Sequence, residues 1–594
     1  MKPRLLAAAI LGLAAAGLFS ITLPPARLAL PTPFSDGSIP GVVHVHTNRS
    51  DGQSGIDLIA AAAARAGLKF VVFTDHGDAT APPQPPAYRG GVLCIDAVEI
   101  STSGGHVVAL DMPAAPYPLA GEPAAVIEDI HRLGGFAIAA HPDSPRPELR
   151  WRDWEAPVDG VETLNLDTGW RTWAQRAGLP GQGTAPVGGG DQGSSPWRAR
   201  ARLLTALLGY PFRPVETIGA LSHARANIGP YAALIERRRV ISIAGADAHA
   251  RLEYRGDGSG SGPSLPLPGY LPTFRAMSVH VTTERPFTGD PIEDGRLVVA
   301  AIRAGRLYTV VDALATPASI EFSAANASGT ARPGDLLAPG GAIKLTVHSN
   351  MPPEFEATIW NGGEPIGAAH REQEFTVAPS SQTGAFWVSI ASTRDGQEGS
   401  TWIRTNPIYV RASPEPIAPA TEQDDVASSE PEGEPLFDGE TMAGWAVEHD
   451  TSSQGAVNVA QLVDGRALLL RFGLGDGGPA ASPFVALVRD IPAGLPPGAR
   501  VAFEIRSEQP MRVSLQVRAP GGAEPGERWQ TSLYAEPTPR AYSIPIAVLT
   551  PAGAAGTPHA PFQEIRSLLF VVDSLNTRPG ASSRLWVSRP ALAR

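Results

Sequence analysis

From residue 40 to about residue 312 the chain alternates strand-like and helix-like stretches, and after about residue 314 the helix pattern disappears. This switch constrains the fold more than any other feature. "GVVHVHT" reads as a strand, "DLIAAAAARAG" as an Ala-rich helix ending at Gly67, and "LKFVVFTDHG" as the next strand. "LCIDAVEIS", "GGHVVALDM", the helix "AAVIEDIHRLGG", "FAIAAHPD", "VDGVETLN" and "VISIAGADAH" continue the series. Repeated alternation with apolar strands predicts a parallel sheet covered by helices, here long enough for a barrel. A Gly-rich insertion interrupts it between residues 174 and 214.

Past residue 314 come "ASIEFSA", "AIKLTVHS", "EATIWNG", "EFTVAPS", "AFWVSIAS" and "NPIYVRA", short strands at regular spacing. They predict an Ig-like β-sandwich over 314–412. Residues 413–435 are Pro-rich, with seven acids and no base, and cannot bury enough apolar surface to fold. They are expected to form a disordered linker. Residues 436–594 return to alternating strands such as "RVAFEIRS" and "SLLFVVDS", a second and larger sandwich. Its opening "LFDG…GW" resembles galactose-binding-like jelly rolls.

The 594 residues exceed one hydrophobic core. A net charge of −11 gives no basic footprint and argues against nucleic-acid binding. The single cysteine, Cys94, excludes an intramolecular disulfide and a thiolate zinc cage. Within residues 1–30, Lys2 and Arg4 precede an apolar run from Leu5 to Leu23. That pattern predicts a signal peptide or an N-terminal membrane anchor, and so an exported protein, periplasmic or extracellular.

In a parallel αβ barrel the active site lies at the C-terminal ends of the strands. Those ends carry His44 and His46, with Asp51 in the following loop, then His76, Glu99, His106, His141, Asp247 and His249. Residues two apart on a strand face the same side, which pairs His44 with His46 and Asp247 with His249. Imidazoles and carboxylates gathered without thiols suit divalent zinc, manganese or iron.

"HVHTNRSDG", "TDHG", "VEI", "AHP" and "DAH", in this order, resemble the PHP (polymerase and histidinol phosphatase) superfamily of distorted (β/α)7 barrels. The resemblance covers roughly residues 40–312, and "AAIRAGRLYTV" is similar to its CehA/McbA-like metallohydrolase branch. It implies two or three divalent metal ions. His44, His46, Glu99 and Asp247 would hold one; Glu99 would bridge to a second on His106 and His141; Asp51, His76 and His249 would hold a third. Glu99, Asp247 and His249 are then the expected catalytic residues.

Other polar residues have other expected roles. Asp75 would orient His76, and Glu162 would serve the pocket or support a ligand. His131 and His280 are expected on the surface or in packing, and the loop of His223 should open toward the mouth. Trp151, Trp154, Trp170, Trp173 and Trp197 are candidates to wall the pocket or pack the insertion. Arg146, Arg150 and Arg171 are candidates to meet a phosphate. Trp445, Trp529 and Trp586 are sandwich core or glycan contacts.

Adjacent divalent ions serve phosphoester hydrolysis best, because charge builds on phosphoryl oxygens. The expected function is therefore an exported metal-dependent phosphoesterase acting on a small-molecule ester. A carbamate or ester hydrolase of the CehA/McbA type is the runner-up, and a non-catalytic envelope glycan-binding scaffold is the competing class.

Overall fold

The computed structural model describes residues 23–31, 34–178, 196–221, 229–253, 264–369, 372–377, 382–395, 397–412, 433–463, 465–477, 482–520, 526–552 and 557–593. The apolar run before Leu23, His223 and residues 413–432 of the expected linker lie outside them. Among the described residues no helix is long and apolar enough to cross a membrane. The chain divides into two compact units. The first holds Met1–Gly77, Pro83–Pro113 and Ile130–Ile417; the second holds Asp78–Pro82, Ala114–Asp129 and Ala418–Arg594.

In the first unit β1 (Ser38–Val45), β2 (Phe70–Phe73) and β3 (Val92–Asp96) pair in parallel in that order. Beyond Ala97 the chain runs on as β4 (Val98–Thr102), antiparallel to β5 (Gly105–Leu110). β5 is also antiparallel to β6 (Phe136–Ala139), and β6, β7 (Gly160–Asn165) and β8 (Ile241–Gly245) are parallel. Bridges Val45–Ala248 and His76–Glu99 join the two sheets. The pairings therefore run round a closed ring.

The ring departs from the all-parallel sheet that the alternation predicts, because β5 opposes both neighbours. The cause is local. Thr102 pairs with Gly105, so only Ser103 and Gly104 join β4 to β5. A two-residue loop makes a hairpin, whereas a parallel return needs a dozen residues or more. Gly105 has φ +122, and a Cβ there would lie 2.6 Å from the Arg150 carbonyl oxygen. Glycine is the residue that fits.

Apolar runs fill the ring: Val42, Val43, Val45, Phe70, Val71, Val72, Phe73, Ile138 and Ile243 are all buried. The helix Ile56–Ala66 covers the outside with Ile59, Ala60 and Ala63, one face at helical spacing. It ends where Gly67 turns left-handed at φ 86.

The sheet does not stop at the end of the alternating region. Ser278–Thr282 pairs with β1 and with Leu307–Val310, which pairs in turn with Thr401–Thr405. Residues 314–412 thus extend a sheet of the ring, and Val310, Leu345, Ile359 and Trp402 share one core with Val42 and Phe70. The expected boundary near 312–314 marks a change of chain pattern inside one compact unit.

The second unit is built on two six-stranded sheets. Arg500–Ser507 shows the alternation, with Val501, Phe503 and Ile505 buried and Glu504 and Arg506 less so. Trp445, Trp529, Phe503, Phe570, Leu515 and Leu585 belong to its core. Within this unit the buried Arg512 guanidinium donates to both carboxylate oxygens of Asp129, at 2.8 and 3.0 Å, and to Glu128. The chain is thus multidomain, and it contains both an αβ region and β-sandwich sheets.

Candidate metal centre

The ends of the ring strands are bent, and the bends carry the polar side chains. β1 slips register against β2 between Val42 and Val45. His44 lies in that slip at φ 65, a bulge that re-aims its ring. β8 ends at Gly245 and Asp247 follows at φ 48; β6 ends at Ala139 and His141 follows at φ 28. Left-handed backbone at such residues costs about 1–3 kcal/mol each and persists where the surroundings enforce it. Strand alternation, the basis for pairing His44 with His46 and Asp247 with His249, is therefore replaced by strained turns.

All nine expected ligands come together. The groups able to hold an ion are His44, His46 and Asp247; His44, Glu99 and His141; His76, Glu99 and His106; and His46, Asp51, His76 and His249. Glu99 is central and buried. Its Oε2 lies 3.2 Å from His44 Nε2, 3.2 Å from His46 Nε2 and 3.3 Å from His76 Nδ1. Its Oε1 lies 2.8 Å from both His106 Nδ1 and His141 Nε2. Asp247 Oδ1 is 3.5 Å from His44 Nε2 and 3.4 Å from His46 Nε2. Asp51 Oδ2 is 3.2 Å from His249 Nε2 and 3.6 Å from His76 Nε2. His44, His46 and His76 each fall in two of these groups, a sharing that the sequence did not predict.

The donor set fits metal ions. Tetrahedral coordination with bonds of about 2.0–2.1 Å sets ligand atoms about 3.3–3.4 Å apart. The contacts among His44, His46, Glu99 and Asp247 span 3.2–3.5 Å. Both ring nitrogens of His46 and Nδ1 of His141 are buried without a hydrogen bond. A buried imidazole left so is costly, and a cation would satisfy His46.

Electrostatics agrees. Burial would raise the pKa of Glu99, but the imidazoles of His44, His106 and His76 hold it well below the usual carboxylate range. Asp247 behaves alike, with burial opposed by His44, His46, His249 and His141. Burial opposes charge on His46, and its contacts with Asp247 and Glu99 prevail, pushing its pKa up to about 10. The carboxylates thus call for positive charge at this point.

Further residues hold the ligands in place. Glu162 Oε1 accepts from His44 Nδ1 at 2.5 Å, and its Oε2 accepts from the His141 amide and from Asn165. This leaves His44 Nε2 free to face Glu99, as in a carboxylate–histidine–metal arrangement. The Tyr270 hydroxyl donates to the carbonyls of His46 and His249. Asp75 accepts from the Thr47 amide and from the side chains of Thr47, Arg49 and Ser50. These bonds fix the loop carrying Asp51, a correction to the expectation that Asp75 orients His76. Gly52 belongs to the same loop, and a Cβ there would lie 2.3 Å from the His46 carbonyl oxygen. Asn165 and Tyr270 carried no sequence signal, because their partners lie far off along the chain or depend on a turn.

A cavity of about 150 Å³ adjoins Asp247 and His249. Its walls are largely apolar and include Trp170, Leu203, Leu207, Ile218 and Leu221. Of the five clustered tryptophans only Trp170 lines it; Trp151 and Trp173 are buried packing residues, and Trp197 is exposed. Arg171 has its charge opposed by burial and restored by Asp167, then by Asp247 and Asp51, so its pKa rises. Its guanidinium is ion-paired with Asp167 on the same helix, and Asp247 and Asp51 act on it at longer range. Arg150 instead donates to the Ser144 carbonyl. His131 pairs with Asp159, and His280 stacks on Tyr308, away from the cluster.

No protein-family model and no curated protein matches the chain. Among solved structures it is similar to the family 11 carbohydrate-binding module of a cellulosomal cellulase of Clostridium thermocellum. The identity is 16% over 27% of this chain and 93% of that one, with a TM-score of 0.23. A family 30 carbohydrate-binding module matches at 12% identity over 27% of this chain and 97% of that one, TM-score 0.21. An agarase matches at 10% identity over 27% of this chain and 25% of that one, TM-score 0.20. Likeness this low carries no argument about function.

Proposed function

We propose that the chain is an exported metal-dependent hydrolase acting on phosphoesters, and that its ring is a PHP-type distorted (β/α)7 barrel of the CehA/McbA-like branch. One observation carries the reading. The two oxygens of buried Glu99 face different histidine sets, His44, His46 and His76 on one side and His106 and His141 on the other. A carboxylate so placed suits a bridge between two ions. His44, His46, Asp247 and Glu99 would hold one ion, Glu99, His106 and His141 a second, and Asp51, His76 and His249 a third.

Such ions supply an acidified water and neutralise charge on the attacked group. The chain's own residues do the rest. Glu162 keeps the His44 ring oriented, and Tyr270 ties the backbones of His46 and His249. Arg171, already paired with Asp167, would add long-range positive charge for a phosphoryl oxygen. The apolar cavity receives the non-polar part of the ester and excludes water beside Asp247 and His249. A carbamate or carboxylic ester is the runner-up substrate. The glycan-scaffold alternative gains nothing from Trp445 and Trp529, whose rings are buried.

The test combines metal analysis of the purified protein with a panel of chromogenic phosphate mono- and diesters, an aryl ester and a carbamate. Glu99→Ala should lose metal and at least about three orders of magnitude in rate, equivalent to more than about 4 kcal/mol. Full metal content and normal turnover in that variant would refute the site. Cleavage of the carbonyl substrates alone would give the runner-up the place.

A further inference from the structure

The helix Pro196–Gly209 turns large apolar side chains to solvent. Trp197 is 66% exposed, Leu204 59% and Leu208 54%, and Phe212 just beyond the helix is 67% exposed. Trp197, Ala201, Leu204 and Leu208 follow one another at i, i+4, i+7 and i+11, so they form one stripe along the helix. The opposite side is accounted for by packing: Ala199 is buried against Trp173 and Ala177, and Leu203 packs against them. The outer stripe has no such partner among the described residues.

The charge on this segment is of one sign. "PWRARARLLTALLGYPFR", residues 196–213, holds Arg198, Arg200, Arg202 and Arg213 and no acid, within a chain of net charge −11. Arg198, Arg200 and Arg202 are exposed. Arg200 and Arg202 donate to the Ala177 and Ala220 carbonyls on the packed side, and Arg198 stands beside the stripe. An apolar stripe of Trp and Leu on a helix whose only charge is basic is the composition of a helix lying in a bilayer interface.

A separate observation points to the same partner. Leu23 and Pro24, at the end of the apolar run Leu5–Leu23, lie beside this helix. Arg213 Nη1 donates to the Pro24 carbonyl at 2.6 Å, and a Cβ on Gly209 would lie 3.1 Å from Leu23 Cδ2. The end of the apolar run and the apolar helix thus lie together on the first unit.

We propose that the face formed by Trp197, Leu204 and Leu208 is a membrane-docking surface that seats on an anionic lipid bilayer. The same helix lines the cavity through the half-buried Leu203 and through Leu207, which is itself 55% exposed next to the stripe. Docking there sets the mouth of the centre close to the lipid surface.

The test uses the full-length chain. Cys94, its only cysteine, is buried, so Leu204→Cys can carry a single environment-sensitive fluorophore. Vesicles of phosphatidylglycerol and phosphatidylcholine in equal parts should shift its emission to the blue, more than phosphatidylcholine alone. A label at exposed Ser328→Cys should stay unshifted. Leu204→Glu with Leu208→Glu should weaken vesicle binding at least about tenfold, with melting unchanged. Should the double variant melt early, the labelled Leu204→Cys chain decides alone. Vesicles that carry the protein without shifting the Leu204→Cys label would overturn the proposal and leave the N-terminal run as the sole anchor. A shift that grows with protein concentration in the absence of lipid would overturn it in favour of a second copy on this face.

Discussion

Glu162 Oε1 accepts a hydrogen bond from His44 Nδ1 at 2.5 Å, although 118 residues separate the two in the chain. Gly245 makes this contact possible, since a Cβ there would lie 2.1 Å from the same carboxylate oxygen. Glu162→Gln should therefore leave the fold intact and weaken metal binding by about 10–100-fold. Gly245→Ala should push Glu162 aside and act in the same direction. Calorimetric metal titration of both variants checks this, and unchanged affinity in both would remove Glu162 from the centre.

Asp51 separates the outer group from the inner ones. Its neighbours are His46, His76 and His249, of which His46 and His76 also touch Glu99, whereas His106 and His141 touch Glu99 alone of the two. Asp51→Ala should lose one ion and keep those around Glu99. Its rate on a phosphoester should fall further than its rate on a neutral carbonyl ester, which builds less charge at the outer position. Metal counting beside the two assays decides it.

Arg512 and Asp129 form a buried ion pair within the second unit, at 2.8 Å. Removing one partner strands the other charge. Arg512→Ala should destabilise the protein by about 3–5 kcal/mol, read by denaturant unfolding. Arg512→Met with Asp129→Leu should cost less than Arg512→Ala, because no lone charge stays buried.

His280 gives a pH prediction outside the metal cluster. It bonds Ser38 and Tyr308, and burial lowers its pKa from 6.5 to about 4 against the pull of Asp36. The folded ring is neutral where the unfolded one takes up a proton. Stability from this group is thus present above pH 6.5 and is lost as pH falls from 6.5 toward about 4. Melting temperature against pH should fall less steeply over that window in His280→Gln than in the parent chain. Identical slopes would refute the assignment.

The candidate site was largely legible because its ligands are chemically rare and recur at strand ends. His44, His46, Asp51, His76, Glu99, His106, His141, Asp247 and His249 were named in the sequence, and all nine meet in space. The supporting set was legible only in part. Glu162 stood out as a carboxylate at a strand end, but Tyr270 acts through a hydroxyl on two distant carbonyls and leaves no local pattern. Asp75 was noticed and given the wrong neighbour, since adjacency to His76 says nothing of which way a carboxylate turns.

By itself the sequence determined the αβ region, the all-β regions after it and which residues make up the candidate metal cluster. Hydrophobic periodicity and residue chemistry are local properties, and they survive without coordinates. Only the tertiary structure decided that β5 runs antiparallel, that residues 314–412 continue a sheet of the ring, and that Ala114–Asp129 belongs to the second unit. It also decided that His44, His141 and Asp247 reach their partners through left-handed backbone. The reason is physical. Strand direction, sheet continuity and strained turns are fixed by pairings between segments far apart in the chain, and no window of sequence contains both partners.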